Sequence, residues 1–175
     1  MKSRSLAWLS LLLVACGSED LLGPLPPQGE HLTAVVEGQP FVGFIPPGRC
    51  MGLQVTPSMM FFSVRLAGPL PKPELSFHLG GVTGPGRFRF RPDQPQDRQI
   101  AALYIPGSAD TLQYSAVTNS GEVVVDEYDA AQRTIAGRFY FRAIRAVGTS
   151  GPEWVDIRQG SFRLRLDTWP PSGCY

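Results

Sequence analysis

Three short stretches repeat one pattern. GRFRFR at 86–91, GRFYFR at 137–142 and GSFRLR at 160–165 each read Gly, any residue, Phe, any residue, an apolar residue, Arg. A period of two puts Phe88 and Phe90 on one side of a strand and Arg87, Arg89 and Arg91 on the other. Phe139 and Phe141 oppose Arg138 and Arg142 in the same way, and Phe162 and Leu164 oppose Arg163 and Arg165. If the three strands are neighbours, the outward guanidinium groups form a basic surface able to grip carboxylate, sulfate or phosphate, whose geometry the planar fork matches. The simpler reading is a solvated sheet face on which the arginines pair across strands with Glu122, Asp126, Asp156 or Asp167. Lys plus Arg number 16 and Asp plus Glu 15, so the balance favours that reading. The copies are 51 and 23 residues apart, too irregular for a repeat protein.

Catalytic groups are harder to find. The chain has no Gly-x-Ser-x-Gly elbow, no His-Glu-x-x-His and no phosphate loop. Its two histidines, His31 and His78, fall on polar faces of expected strands and read as solvated. Glu122, Asp126, Glu127 and Asp129 cluster on one hairpin, as acids of solvated loops do, whereas a glycosidase needs two carboxylates facing across a cleft. A calcium site at Asp126 and Asp129 lacks the spacing of an EF-hand. No catalytic residue, metal ligand or cofactor is assigned, and the expectation is a protein that is not an enzyme. Trp154, Trp169, Tyr104 and Tyr128 could build a platform for stacking sugars, although aromatics in β-proteins more often pack in the core or at its rim.

The N-terminus carries a different kind of chemistry. Lys2 and Arg4 precede an apolar run from Leu6 to Val14, which ends in the small junction Ala15-Cys16-Gly17. This is the layout of a secretory signal over residues 1–15, with an apolar core too short to span a bilayer comfortably. Leu13-Val14-Ala15-Cys16 resembles the bacterial lipobox, Leu-x-[Ala/Gly/Ser]-Cys. That resemblance implies that Cys16 becomes the first mature residue and carries lipid on its thiol. Two or three acyl chains, palmitate among them, anchor stably where one does not, at about 0.8 kcal/mol per buried CH₂. The residue after the cysteine is not the Asp associated with inner-membrane retention, and Gly17-Ser18-Glu19-Asp20 looks like signals that carry some Bacteroidota lipoproteins to the outer face of the outer membrane. The expectation is an outer-membrane lipoprotein, either periplasmic or surface-exposed. Residues 16–29, with LLGPLPPQG at 21–29, read as the lipidated cysteine and a Pro-rich tether.

Loss of residues 1–15 removes two cations and no acids, so fourteen basic face fifteen acidic side chains; Lys72 remains beside thirteen arginines. This near-neutral balance gives no reason to expect nucleic acid as a partner. Cys50 and Cys174 sit in similar settings, PPGRC and PPSGC, and export to an oxidising compartment favours a disulfide between them. Closing a loop of more than a hundred residues is worth on the order of 4–5 kcal/mol in the chain-entropy model. Metal binding by the pair is weaker, since no further Cys or nearby His completes a tetrahedral site.

The scaffold that must position these groups is legible in the alternation. The chain has 175 residues, 19 Gly and 17 Pro, and short apolar runs between turn signals, which point to one all-β domain over 30–175. Leu32, Ala34 and Val36 alternate with His31, Thr33 and Glu37; Gly38-Gln39 turns the chain into 40–45. Met59 to Leu66 reads as a central strand buried on both faces. Leu75, Phe77 and Leu79 alternate up to Gly80-Gly81. Further strands are expected near 86–91, 99–105, 111–118, 121–128, 133–146 and 153–167, with hairpin turns at Asn119-Ser120-Gly121 and Asp129-Ala130-Ala131-Gln132. About ten short strands predict an antiparallel β-sandwich, with a β-barrel as the alternative. Parallel α/β is excluded because no helical crossovers are present.

From about residue 83 the chain resembles a family of uncharacterised Bacteroidota lipoproteins, a domain of unknown function. The resemblance rests on Gly84-Pro85-Gly86-Arg87-Phe88, on a strand ending at Asp129 before a turn, on Ile135-Ala136-Gly137-Arg138-Phe139-Tyr140-Phe141 and on Ile157-Arg158-Gln159-Gly160-Ser161-Phe162. VVEGQPF near the start resembles the family's opening hairpin. Pro85 and Arg87 depart from its small polar residues, and Cys50 and Cys174 lie outside its pattern. The resemblance implies an all-β fold and an envelope location and lends no catalytic residues.

These readings converge on a lipid-anchored envelope module with a binding or structural role and the membrane as its first partner. Possible further partners are a glycan or an envelope protein, and the candidate ligand surface is Trp154, Trp169, Tyr128, Arg138, Arg142, Arg163 and Arg165. Two alternatives stay open: a glycan-binding accessory to polysaccharide capture, and a hydrolase.

Overall fold

The computed structural model describes residues 19–25, 27–45, 50–66, 73–91, 100–107, 112–146 and 151–168. One helical turn, α1 (Glu19–Leu22), precedes ten strands: β1 (His31–Val36), β2 (Gln39–Phe44), β3 (Gly52–Thr56), β4 (Met59–Leu66), β5 (Glu74–Gly80), β6 (Gly86–Arg89), β7 (Ile100–Ile105), β8 (Tyr114–Asp129), β9 (Thr134–Arg145) and β10 (Trp154–Thr168). The protein is all-β, and the expected sandwich is its architecture.

Alternation builds the core. Leu32, Ala34 and Val36 of β1, Leu75, Phe77 and Leu79 of β5, and Phe139 and Phe141 of β9 are all buried. Across the core Phe77 meets Phe139 edge-on at 4.6 Å, and Phe62 meets Phe162 at 5.2 Å. β4 and β5 therefore face β9 and β10, and each such ring pair adds about 0.5–1.5 kcal/mol beyond the area it buries.

Among the described strands all pairings are antiparallel except one. Leu166, Asp167 and Thr168 of β10 pair in parallel with Gly52, Leu53 and Gln54 of β3, which makes the sheet mixed. One edge of β10 is taken by β9, and the other first by β1 and then by β3. β4 pairs with β5 on one side and with β3 and β2 on the other. The two layers are thus joined by hydrogen bonds at both margins, through β7–β8 at one and β1, β2 and β3 at the other.

Three local expectations change. β4 is buried on one face only: Met60, Phe62 and Val64 point inward, while Phe61 is exposed. A run of apolar residues hid an ordinary alternation there. Asn119-Ser120-Gly121 is not a hairpin turn but a bulge inside the single sixteen-residue strand β8, where the register to β9 shifts between Ala116 and Gly121. Asn119 takes the left-handed φ of 60°, its amide donates to the Phe90 carbonyl, and the Ser120 hydroxyl donates to the Arg142 carbonyl at 2.9 Å. Bulge and turn use the same residue chemistry, and here the neighbouring strands decide for the bulge. The expected turn at 129–132 does form, with Asp129 Oδ1 accepting from the amides of Ala131 (2.8 Å) and Gln132 (2.9 Å).

The third change concerns the tether. The part of 21–29 that the structure describes lies along the outer face of β9 and β10 instead of standing away from the domain. Leu22 is only 1% exposed. The Gly23 carbonyl accepts from Arg138 Nη1 at 3.4 Å, and the Pro27 carbonyl from Arg163 Nε at 3.1 Å. Glu30 then pairs with Arg165 at 2.7 Å. His31 adds to this strap: Nδ1 donates to the Gly29 carbonyl and Nε2 meets the Ser161 hydroxyl, both at 2.9 Å. That histidine is a structural link, whereas His78 is exposed.

Candidate anion-binding cleft

The arginine-bearing strands are neighbours as their pattern suggested, in the order β6–β8–β9–β10. Their outward guanidinium groups are mostly spent on acids. Arg138 grips Asp126 with two bonds of 3.0 Å, and Arg142 grips Asp156 at 2.8 and 3.1 Å. Arg158 also reaches Asp156, Arg163 pairs with Glu127, and Arg133 lies 3.6 Å from Asp167. Hydrogen bonds from Arg142 and then from Arg158 hold the Asp156 carboxyl below its ordinary pKa, and the bond from Arg163 does the same for Glu127. Arg138, Arg142, Arg163 and Arg165 therefore form a laced sheet face rather than an open basic patch.

The exception lies beside β6. Arg87, Arg89, Arg91, Asn119, Gly121, Glu122 and Tyr140 line an open cleft of about 630 Å³. Glu122, 3% exposed, accepts from Arg87 Nη1 at 2.7 Å and from Arg89 Nε at 3.5 Å. One buried carboxylate thus steadies two half-exposed guanidinium groups, whose remaining N–H donors are free to face the cleft. Arg91 has no ion-pair partner among the described residues, so three cations share one acid. Tyr140 forms the far wall; burial, and then the charge of Glu122, push its pKa up, so its hydroxyl stays a donor. The β8 bulge brings Asn119 to the rim. Among the described residues the cleft is a concave array of donors in which three arginines face one glutamate, suited to a carboxylate, sulfate or phosphate group.

Arg87, Arg89 and Arg91 belong to the outward arginines expected to form a basic surface, but the candidate ligand surface named from the sequence lies on the arginines of β9 and β10, which are paired. Glu122, expected among the acids of a solvated hairpin, is buried in mid-strand and meets Arg87 and Arg89. The nearby signal was the density of arginine, three in the five residues 87–91.

The aromatic candidates do not assemble. Trp154 is 50% exposed, with the Arg142 guanidinium 5.6 Å from its ring. Tyr128 is half-buried, and its hydroxyl accepts from Gln54 Nε2 at 3.1 Å. Tyr128 pairs with Ile135 and Trp154 with Ile144, which puts the two about 30 Å apart along β9. Tyr104 packs on Tyr114 at 6.2 Å in an apolar end of the sandwich. Trp169, Cys16 and Cys174 lie outside the described residues. Cys50 is half-buried just before β3. Asp126 is committed to Arg138 and Asp129 to its turn, and among the described residues no three His, Cys, Asp or Glu side chains gather as metal ligands.

No protein-family model, curated protein or solved structure matches the chain.

Proposed function

We propose that the protein is a lipid-anchored, non-enzymatic binding module of the cell envelope that holds an anionic group in the Arg87–Arg89–Arg91 cleft. The observation that carries this reading is the charge imbalance of that cleft: three arginines and one buried glutamate, on a sheet where the other outward arginines of the pattern are paired. Binding without turnover is the fitting role, because the cleft offers donors and fixed charge but no nucleophile beside a base. Address and covalent form belong to the same proposal. Cys16 carries the lipid, the outer membrane is the site, Cys50 pairs with Cys174, and the family is the uncharacterised Bacteroidota lipoprotein family that the strand motifs resemble.

The experiment is a binding screen of the chain from Gly17 onward against acidic and neutral glycans and envelope polysaccharides, with Arg91→Glu alongside. Anionic members retained by the native chain and lost by the variant are the expected result. Retention of neutral glycans, abolished by Trp154→Ala or Trp169→Ala but not by Arg91→Glu, would replace this reading with carbohydrate capture, to which the half-exposed Trp154 ring lends its support. Cys16→Ala should release the protein from the membrane fraction, and continued retention would sink the anchor.

A further inference from the structure

The strap that binds residues 21–30 to the sheet fixes where the anchor leaves the domain. Running backward along the chain, Pro27 meets Arg163, Gly23 meets Arg138, and Leu21 reaches a hollow shared with Tyr140, Arg142, Asp156 and Arg158. Gly23 lies so close to Gln159 that a β-carbon there would stand 3.1 Å from the Gln159 Cα, and its φ of 73° suits glycine. Tyr140 is the shared wall: one side touches the hollow of Leu21, the other the arginine cleft. Four residues lie between Leu21 and Cys16, and the five steps along the chain reach at most about 18 Å even fully extended. A lipid on Cys16 therefore brings the bilayer surface near Tyr140, beside the cleft. Further along the same outward face of β9, about 13 Å from Tyr140, stand Trp154 and Ile144, both exposed and paired in register, one of them a residue type enriched at headgroup depth.

We infer that the cleft binds the phosphate of an anionic lipid headgroup, one with no cation of its own, in the membrane that holds the anchor, so that the domain lies against the bilayer with Arg87, Arg89 and Arg91 toward it. This rests on the anion-binding reading of the cleft and on the anchor at Cys16. The chemistry is a phosphate held by forked donors; a free or sugar-borne phosphate would meet the same donors, and tethering singles out the headgroup. Short reach matters because charge attraction to a membrane fades within a Debye length, about 8 Å at physiological salt.

The test uses the unlipidated chain from Gly17, which keeps the strap and the described core, with phosphatidylcholine vesicles with and without phosphatidylglycerol. Binding is expected only with the anionic lipid. Each basic side chain near such a surface is worth roughly fivefold in affinity, so Arg91→Glu should weaken binding about thirtyfold, and Arg91→Lys, which keeps the charge but not the fork, should fall between the two. Arg91 lies past the end of β6 with its side chain exposed, so its replacement leaves the fold intact, which the thermal midpoint checks. Inorganic phosphate and glucose 6-phosphate are titrated in parallel. If they bind through Arg91 while the vesicles do not, the headgroup source is overturned and the anion cleft stands. If neither phosphate nor vesicle binds, both fall. Vesicle binding that Arg91→Glu leaves unchanged would also overturn the inference.

Discussion

The ring of Phe139 lies over Gly160 on the adjacent strand, its Cε2 atom only 2.3 Å from where a β-carbon on Gly160 would stand. The relation is reciprocal. Phe162 covers Gly137, its Cζ 2.8 Å from the corresponding point, because Gly160 pairs with Phe139 and Phe162 with Gly137. The recurring Gly-x-Phe of β9 and β10 is thus a packing device in which each strand supplies the ring that fills the other's missing side chain. The copy on β6 has no such partner: Gly86 meets nothing nearer than Phe88 at 3.8 Å. Gly160→Ala is expected to cost about 1–3 kcal/mol by overpacking, and Gly86→Ala to stay within about 0.5 kcal/mol. In urea unfolding, the double variant Gly160→Ala/Phe139→Leu should lose less than the sum of its parts. Equal costs at the two glycines would refute the packing role.

Leu22 pins the strap. Leu22→Ala should cost about 2 kcal/mol, the low end for a buried leucine, because the strap can detach without unfolding the sandwich. Hydrogen exchange should quicken at amides between 21 and 30 and stay slow in β8 and β9. A uniform rise through the sheet would mean that strap and sandwich unfold as one unit.

Acid should loosen the laced face. Folding lowers the Asp156 pKa through its bonds to Arg142 and Arg158, so the folded state binds that proton less tightly than the unfolded chain. The resulting stability is present above the ordinary aspartate value of about 3.9 and is lost as the pH falls through the lower folded value. Both arginines are half-exposed, so the contribution is at most about 1 kcal/mol. Asp156→Asn should lower the denaturation midpoint at neutral pH and leave it nearly unchanged at pH values well below 3.9. A penalty as large in acid as at neutrality would count against the ion pair.

The proposed Cys50–Cys174 bond predicts a thermodynamic identity. Cys50→Ser, Cys174→Ser and the double variant should each lose the same amount, on the order of 4 kcal/mol, and reductant should bring the native chain to the same level. Unequal single losses, or a double loss equal to their sum, would show that the cysteines act separately.

The alternation of Leu32, Ala34 and Val36, or of Phe139 and Phe141, reports which face meets the core, so most strands were legible from the order of residues. So were the ion-pair partners, since Glu122, Asp126, Asp156 and Asp167 stand on the same outward faces as the arginines they meet. Asn119-Ser120-Gly121 misled because a bulge and a turn ask for the same backbone freedom, and the choice depends on Phe90 and Arg142, both distant in sequence. The cleft needed knowledge that Tyr140 and β6 flank the same stretch of β8. The strap needed Leu22 to find β9 and β10, a contact that no local periodicity announces. Long-range juxtaposition is what the sequence left unwritten.

The joining of the two layers at both margins has a further consequence. Each described strand but β6 is hydrogen-bonded on both edges, and β6 is four residues long and flanked outward by Arg87 and Arg89. An exposed strand edge is a template for another chain, and crowding raises the odds that such edges meet. Among the described strands the one with a wholly open edge is short and guarded by like charge, so identical molecules packed side by side would find little there to zip together.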